Sequence, residues 1–383
     1  MENRRWRCLP AVFLLVMELA LNVLDSFSQD YPEAQSRFRE AATKLGFSLE
    51  SHSIGENGPD GSELSFDVAC STGGDPSRVL VISSGIHGVE GFFGSAVQLG
   101  MLDEWSQGEM PQPKVVLLHG LNAYGFAYSR RFNEDNVDPN RNFLLAGQPF
   151  AGSPPGYAEL DSFLNPKRPP SSWEPFSAKA VWLIAQHGMS KLRSAIASGQ
   201  YDYPQGLFFG GKGPTRMQTI LQQNMPRWLA GSEQVVHLDF HTGLGAWGTW
   251  KLLIDYPLSE LQRKQLAGWF GADSFEANTE SDIAYDARGG FGQWCVAQKF
   301  SPEYLFACAE FGTYPAVKVL AGLRAENQAH HWGKAEAAST RKAKQTLKEL
   351  FCPSAASWRE EVLRQSKQLV RQAEQGMCGE GKS

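Results

Sequence analysis

Four short, largely apolar runs constrain this chain more than any other feature: residues 79–83, 115–118, 234–240 and 304–309. Runs of this length that are apolar throughout suit strands buried on both faces, as in parallel sheets covered by helices. Between the first two, Phe92, Ala96, Leu99 and Leu102 recur every three or four residues, which makes one face of a helix. Residues 30–45 show the same spacing through Tyr31, Ala34, Phe38, Ala41, Ala42 and Leu45, with a stop at Gly46. This alternation predicts an α/β fold: a mixed, mostly parallel central sheet with helices on both faces. In such sheets ligands gather beyond the carboxyl ends of strands. His87, His119, His241 and Glu310 all fall there.

The bulk composition narrows the field without choosing a function. With 42% hydrophobic and 20% charged residues in 383, the chain has the make-up of a globular protein. A net charge of −5 offers no basic field for a phosphate backbone, so nucleic acid is not an expected partner. Six cysteines without a CxxC pair argue against a zinc ribbon and against a dense disulfide framework. Arg4, Arg5 and Arg7 precede an apolar stretch at 9–24 that looks like a signal peptide, although Glu18 interrupts it and no Ala-x-Ala site follows. Membrane association is expected only if residues 9–24 act as an anchor. The cytoplasm is favoured, and the secretory pathway if residues 1–28 are a signal. Residues 1–26 are thus read as a signal, an anchor or a disordered extension, 27–377 as the catalytic domain and 378–383 as a tail. Within the domain, 146–173 is an irregular stretch rich in Pro, Gly and Ser. Residues 321–375 read as two helices separated at Cys352-Pro353-Ser354, with Lys334, Lys342, Lys344 and Lys348 on a solvated face.

Four constellations carry chemistry. In Gly85-Ile86-His87-Gly88-Val89-Glu90-Gly91 a His and a Glu three residues apart can share a metal. Alone, the pair is better explained as a turn histidine and a helix-start glutamate. His241, at the end of Leu238-Asp239-Phe240, would complete two His and one carboxylate with a fourth position open, the pattern of catalytic zinc. Asp138-Pro139-Asn140-Arg141-Asn142, preceded by Arg130 and Arg131, offers a guanidinium fork and an amide for a carboxylate. Glu310 ends an apolar run, where an unpaired charge is costly, and needs a metal, an arginine or a task. Rival motifs fail on context. Gly243-Leu244-Gly245-Ala246-Trp247-Gly248 fits GxGxxG, but residues 249–254 read as a strand, not the helix a dinucleotide needs. No GxSxG elbow is present. His119 is the one serious competitor for a ligand position.

The order HxxE, DxNRN, strand-end His, strand-end Glu resembles the zinc carboxypeptidase A-like superfamily, which includes aspartoacylase and succinylglutamate desuccinylase. More closely, residues from about 27 to 375 resemble the branch catalogued as domain of unknown function 2817, including the Gly210-Gly211-Lys212 loop and the Trp358-Arg359 helix. The resemblance implies one zinc ion on His87, Glu90 and His241, with Asp138 orienting His87 and Glu310 as general base. It implies that Asn140 and Arg141 hold a substrate carboxylate, and that Arg131, or its neighbour Arg130, polarises the scissile carbonyl. Tyr285, ahead of Gly289-Gly290, is similar to a capping tyrosine on a mobile loop. Gly292 stands where carboxypeptidases place their side-chain selector, which leaves substrate choice open. The implied reaction is zinc-dependent hydrolysis of an amide bond beside a carboxylate, on a small peptide or an N-acyl amino acid. The alternative of a different class is a zinc-binding protein without catalysis.

Overall fold

A computed structural model describes residues 24–171, 176, 179, 198–277 and 288–379. Almost all of the stretch at 9–24, Tyr285 and most of the 378–383 tail lie outside the described residues. The strands are β1 (Ser48–Asn57), β2 (Glu63–Cys70), β3 (Asp75–Ser84), β4 (Pro113–His119), β5 (Gln234–Thr242), β6 (Trp250–Ile254), β7 (Phe275–Ala277) and β8 (Glu303–Phe311). They form one sheet in the order β1-β2-β4-β3-β5-β8-β6-β7. Its centre, β4-β3-β5-β8, is parallel throughout, whereas β1, β2 and β6 join antiparallel. All four apolar runs lie in that centre, as strands buried on both sides must. The hairpin β1–β2 was not anticipated, because β1 is a mostly exposed, polar edge strand and β2 buries nearly every residue yet has no continuous apolar run.

The helices are α1 (Tyr31–Lys44), α2 (Gly91–Gln107), α3 (Ala123–Ala127), α4 (Tyr157–Leu164), α5 (Arg216–Trp228), α6 (Glu260–Phe270), α7 (Phe291–Ala297), α8 (Ala316–Trp332), α9 (Ala338–Phe351) and α10 (Ala356–Met377). Side chains alternate along β5 and β8, and so the two faces of the sheet receive different layers. Phe240 and Phe311 point to one face, where Phe93 of α2 and Trp358 of α10 close over them. His237 and Phe306 point to the other, against Phe291 of α7. Helices thus cover both faces. Among the described residues no helix is long and apolar enough to cross a membrane.

The C-terminal region holds three helices rather than two. Gly333 ends α8 in an extended conformation, and a Cβ there would meet the Ala329 carbonyl oxygen at 2.5 Å. A solitary glycine is an easily overlooked stop. The solvated lysine face also needs correction. Lys334 and Lys342 are exposed, but Lys344 donates to Glu326 at 2.9 Å and Lys348 stands 3.7 Å over the Phe92 ring. Helix α9 turns these two inward because it packs on α8 and the turn before α2.

Candidate metal centre

The His87 turn depends on close backbone packing. Gly85 leaves β3 at φ +73°, where L side chains are strained, and a Cβ on Gly88 would lie 2.1 Å from the Gly125 carbonyl carbon. The turn then runs through a short 3-10 segment, Gly88–Glu90, directly into α2. Its free backbone donors are satisfied across the molecule: Gly88 N–H donates to the Arg131 carbonyl at 3.2 Å and Val89 N–H to the Arg130 carbonyl at 2.7 Å. The segment carrying both arginines is thereby docked on the turn carrying His87 and Glu90.

His241 arrives on β5, whose parallel neighbour β8 sets His241 opposite Glu310. The two imidazoles converge on one carboxylate. His87 Nδ1 lies 2.9 Å from Glu90 Oε1, and His241 Nδ1 lies 3.0 Å from Glu90 Oε2. Each Nε2 faces a carboxylate of its own: Asp138 at 3.1 Å for His87, and Asp239 at 2.6 Å for His241. Carboxylates that hold Nε2–H leave Nδ1 as the ligand atom. All of these side chains are buried.

Donor atoms of His87, Glu90 and His241 lie within 4.8 Å of one another. A tetrahedral zinc ion with bonds of about 2.0–2.2 Å keeps its ligand atoms roughly 3.3–3.6 Å apart, and so small side-chain shifts close the set. Two neutral nitrogens and one carboxylate are the donors that zinc accepts in catalytic sites, and the residues fit the ion.

The charges around the cluster are mutually supportive. Burial opposes ionisation of Glu90 and Asp138, yet His87 and His241 around the first, and Arg131 and His87 around the second, hold both below the usual carboxylate range. Arg131 Nε donates to Asp138 at 2.9 Å, and its Nη1 reaches Glu90 at 3.5 Å. Glu310 accepts from the Leu244 N–H at 2.8 Å; burial and the Glu90 carboxylate push its carboxyl up to about 7. A bound dication would draw it down again.

Asn140 and Arg141 sit on a 3-10 turn capped by the Asp138 carboxylate, which accepts from the Asn140 N–H at 3.1 Å. Asn140 Oδ1 accepts from the Phe291 N–H at the start of α7, and the Arg141 carbonyl accepts from the Tyr201 hydroxyl.

Arg130 is not brought to the cluster. Its side chain is fully buried and pairs with Glu326 at 2.9 Å, whereas the Arg131 side chain reaches Asp138 and Glu90. His119 is also elsewhere, bonded to Ser95 and stacked at 4.2 Å on Phe38. Sequence reasoning passed over Asp239 and what lies behind it. Asp239 accepts from Ser83 at 2.6 Å, Ser83 Oγ contacts His237 Nε2 at 2.7 Å, and His237 Nδ1 contacts the Tyr304 hydroxyl at 2.9 Å. The available signal was the two-residue spacing of His237, Asp239 and His241, which places all three on one face of a strand. Cys308, in register with Asp239 and on the face of Glu310, was likewise passed over.

Comparison with known proteins agrees with the resemblance to domain of unknown function 2817. No curated protein matches the chain. Among solved structures it is similar to bovine thrombin-activatable fibrinolysis inhibitor, at 12% identity over 89% of this chain and 99% of that one, with a TM-score of 0.44. It is similar to carboxypeptidase A from Helicoverpa armigera, at 14% identity over 88% and 80%, TM-score 0.46. A third is the succinylglutamate desuccinylase from Chromobacterium violaceum, at 14% identity over 83% and 74%, TM-score 0.38. The family model described as "Protein of unknown function (DUF2817)" matches residues 27–365, and the chain is a member of that family.

Proposed function

We propose that this protein is a zinc-dependent hydrolase, metallocarboxypeptidase-like, that cleaves an amide bond next to a carboxylate-bearing residue. The observation that carries the reading is the convergence of His87 Nδ1 and His241 Nδ1 on the two oxygens of Glu90, with each Nε2 held by its own aspartate. One zinc ion in that set supplies Lewis acidity and a nucleophile at neutral pH. Glu310, across the strand pair from His241, takes a proton from the attacking water and returns it to the leaving amine as the C–N bond breaks. Arg131 donates to the carbonyl oxygen as it gains negative charge. Asn140 and Arg141, one turn beyond Asp138, hold the substrate carboxylate, and Tyr285 caps the bound substrate.

The test is a substrate screen of wild type beside Glu310→Gln. The panel holds peptides with free C-termini, the same peptides amidated, and N-acyl amino acids, with amine release followed in zinc and after chelation. Wild type is expected to cleave free carboxylates over amides. Glu310→Gln should keep its zinc and lose about 10²- to 10⁴-fold in turnover. Undiminished turnover in that variant sinks the assignment of the base, and metal-free protein with full activity sinks the proposal.

A further inference from the structure

Beside the zinc set lies a second group of donors. β5 and β8 run parallel with Asp239 opposite Cys308 and His241 opposite Glu310. Alternation puts all four on the same face of the sheet. The donor atoms of His241, Cys308 and Glu310 lie within 4.8 Å of one another, a bound that those of His87, Glu90 and His241 also meet. Both groups use His241, yet their chemistry differs. The first offers two imidazoles and a carboxylate. The second offers one imidazole, one carboxylate and a sulfur, and a thiolate is the ligand that soft ions select.

We propose that His241, Cys308 and Glu310 form an alternative metal position that takes a thiophilic divalent cation, of which cadmium is the probe. On binding, a metal–sulfur bond forms, the Cys308 thiol loses its proton to solvent, and the imidazole and carboxylate complete the set. No change of oxidation state is involved. Because His241 serves both groups, an ion held by Cys308 competes with one held by His87 and Glu90. It also occupies the Glu310 carboxylate. A soft cation at this position therefore takes away a zinc ligand and the base together, a consequence for turnover that rests on the function proposed above. The site itself does not rest on it.

Cys308 is partly buried at the margin of the core, between the buried Ala307 and Ala309. The other cysteines described, Cys70, Cys295, Cys352 and Cys378, belong to neither donor group.

The experiment is a cadmium titration of the full chain, read by the ultraviolet thiolate-to-cadmium charge-transfer band and by equilibrium dialysis. Wild type and His87→Ala should both show the band. Cys308→Ser should lose it and bind cadmium more weakly, by at least the roughly 10- to 100-fold that loss of a supporting partner costs a metal site. Circular dichroism checks folding, and Cys308→Ala replaces the serine variant if that one does not fold. Cadmium binding without the band, a band that survives removal of Cys308, or no cadmium binding overturns the proposal. Zinc content and turnover are measured on the same wild-type preparations. A cadmium band in protein that neither holds zinc nor hydrolyses the panel would overturn the proposed function and leave this site standing. Zinc-dependent hydrolysis without the band does the reverse.

Discussion

Arg130 and Arg131 are consecutive, chemically identical and both embedded in carboxylates, yet they serve different regions. Arg130 points away from the donor cluster into a buried network: Nε pairs with Glu326 at 2.9 Å, Nη2 donates to Asn136 at 2.8 Å, Glu326 links on to Lys344, and Nη1 has no hydrogen-bond partner among the described residues. Its side chain is 0% exposed, which leaves no surface for a ligand. Arg131 points the other way, to Asp138 and Glu90, with its side chain 11% exposed. The backbone explains the divergence. Both carbonyls are tied to the turn after His87, so the two side chains must leave on opposite sides of that contact. A buried charge paired within the chain specifies structure, whereas one at the rim of a donor cluster can meet a substrate.

That contrast can be broken in four ways, from the largest effect down. Arg130→Ala leaves Glu326 short of its main partner in the interior and should cost about 3–5 kcal/mol of stability. A shifted urea midpoint with normal zinc content in the folded protein is the expected result; lost zinc with unchanged stability would reverse the roles of the two arginines. Arg131→Ala should lower turnover by about 10²- to 10³-fold, the effect of removing one donor to a developing oxyanion. Asp138 keeps His87 as a partner, and the midpoint should move less than for Arg130→Ala. Equal midpoint shifts with unchanged kinetics would erase the distinction.

Asp239→Asn tests whether the cluster's second aspartate works as Asp138 does. Zinc affinity by chelator competition is expected to fall roughly 10- to 100-fold, with the thermal transition of the metal-free protein changed far less. An unchanged affinity would make Asp239 a packing residue. The smallest effect is in the acid limb of stability. Burial works against a charged Glu326, but Arg130 and Lys344 outweigh it and hold its carboxyl below the ordinary value. A depressed acid contributes stability that is fully present above its unfolded pKa of about 4.3 and is lost as pH falls through the lower folded value. Glu326→Gln should flatten that part of the pH–stability curve, by at most about 1.4 kcal/mol per pH unit. A curve of unchanged shape would remove Glu326 from the network's charge balance.

The central sheet was legible because a strand buried on both faces is largely apolar, and four such runs became β3, β4, β5 and β8. Strand ends then singled out His87, His241 and Glu310, since a polar residue after a buried run needs a purpose. The hairpin β1–β2 was not legible, because an edge strand with one wet face carries a weak pattern. Nor was the direction of Arg130, which is set by a backbone contact between residues 41 or more positions apart. Asp239 was within reach, two residues before His241 on the same strand, but Cys308 stayed hidden: it reads as an ordinary residue inside an apolar strand, and only the register of β5 on β8 brings it beside His241. The sequence by itself determined which residue types stand at the strand ends and so the kind of chemistry available. The tertiary structure decided which nitrogen of each histidine is turned to Glu90, which arginine is at the rim, and that a thiol shares the centre, because side-chain direction depends on strand pairing and loop docking that no local pattern encodes.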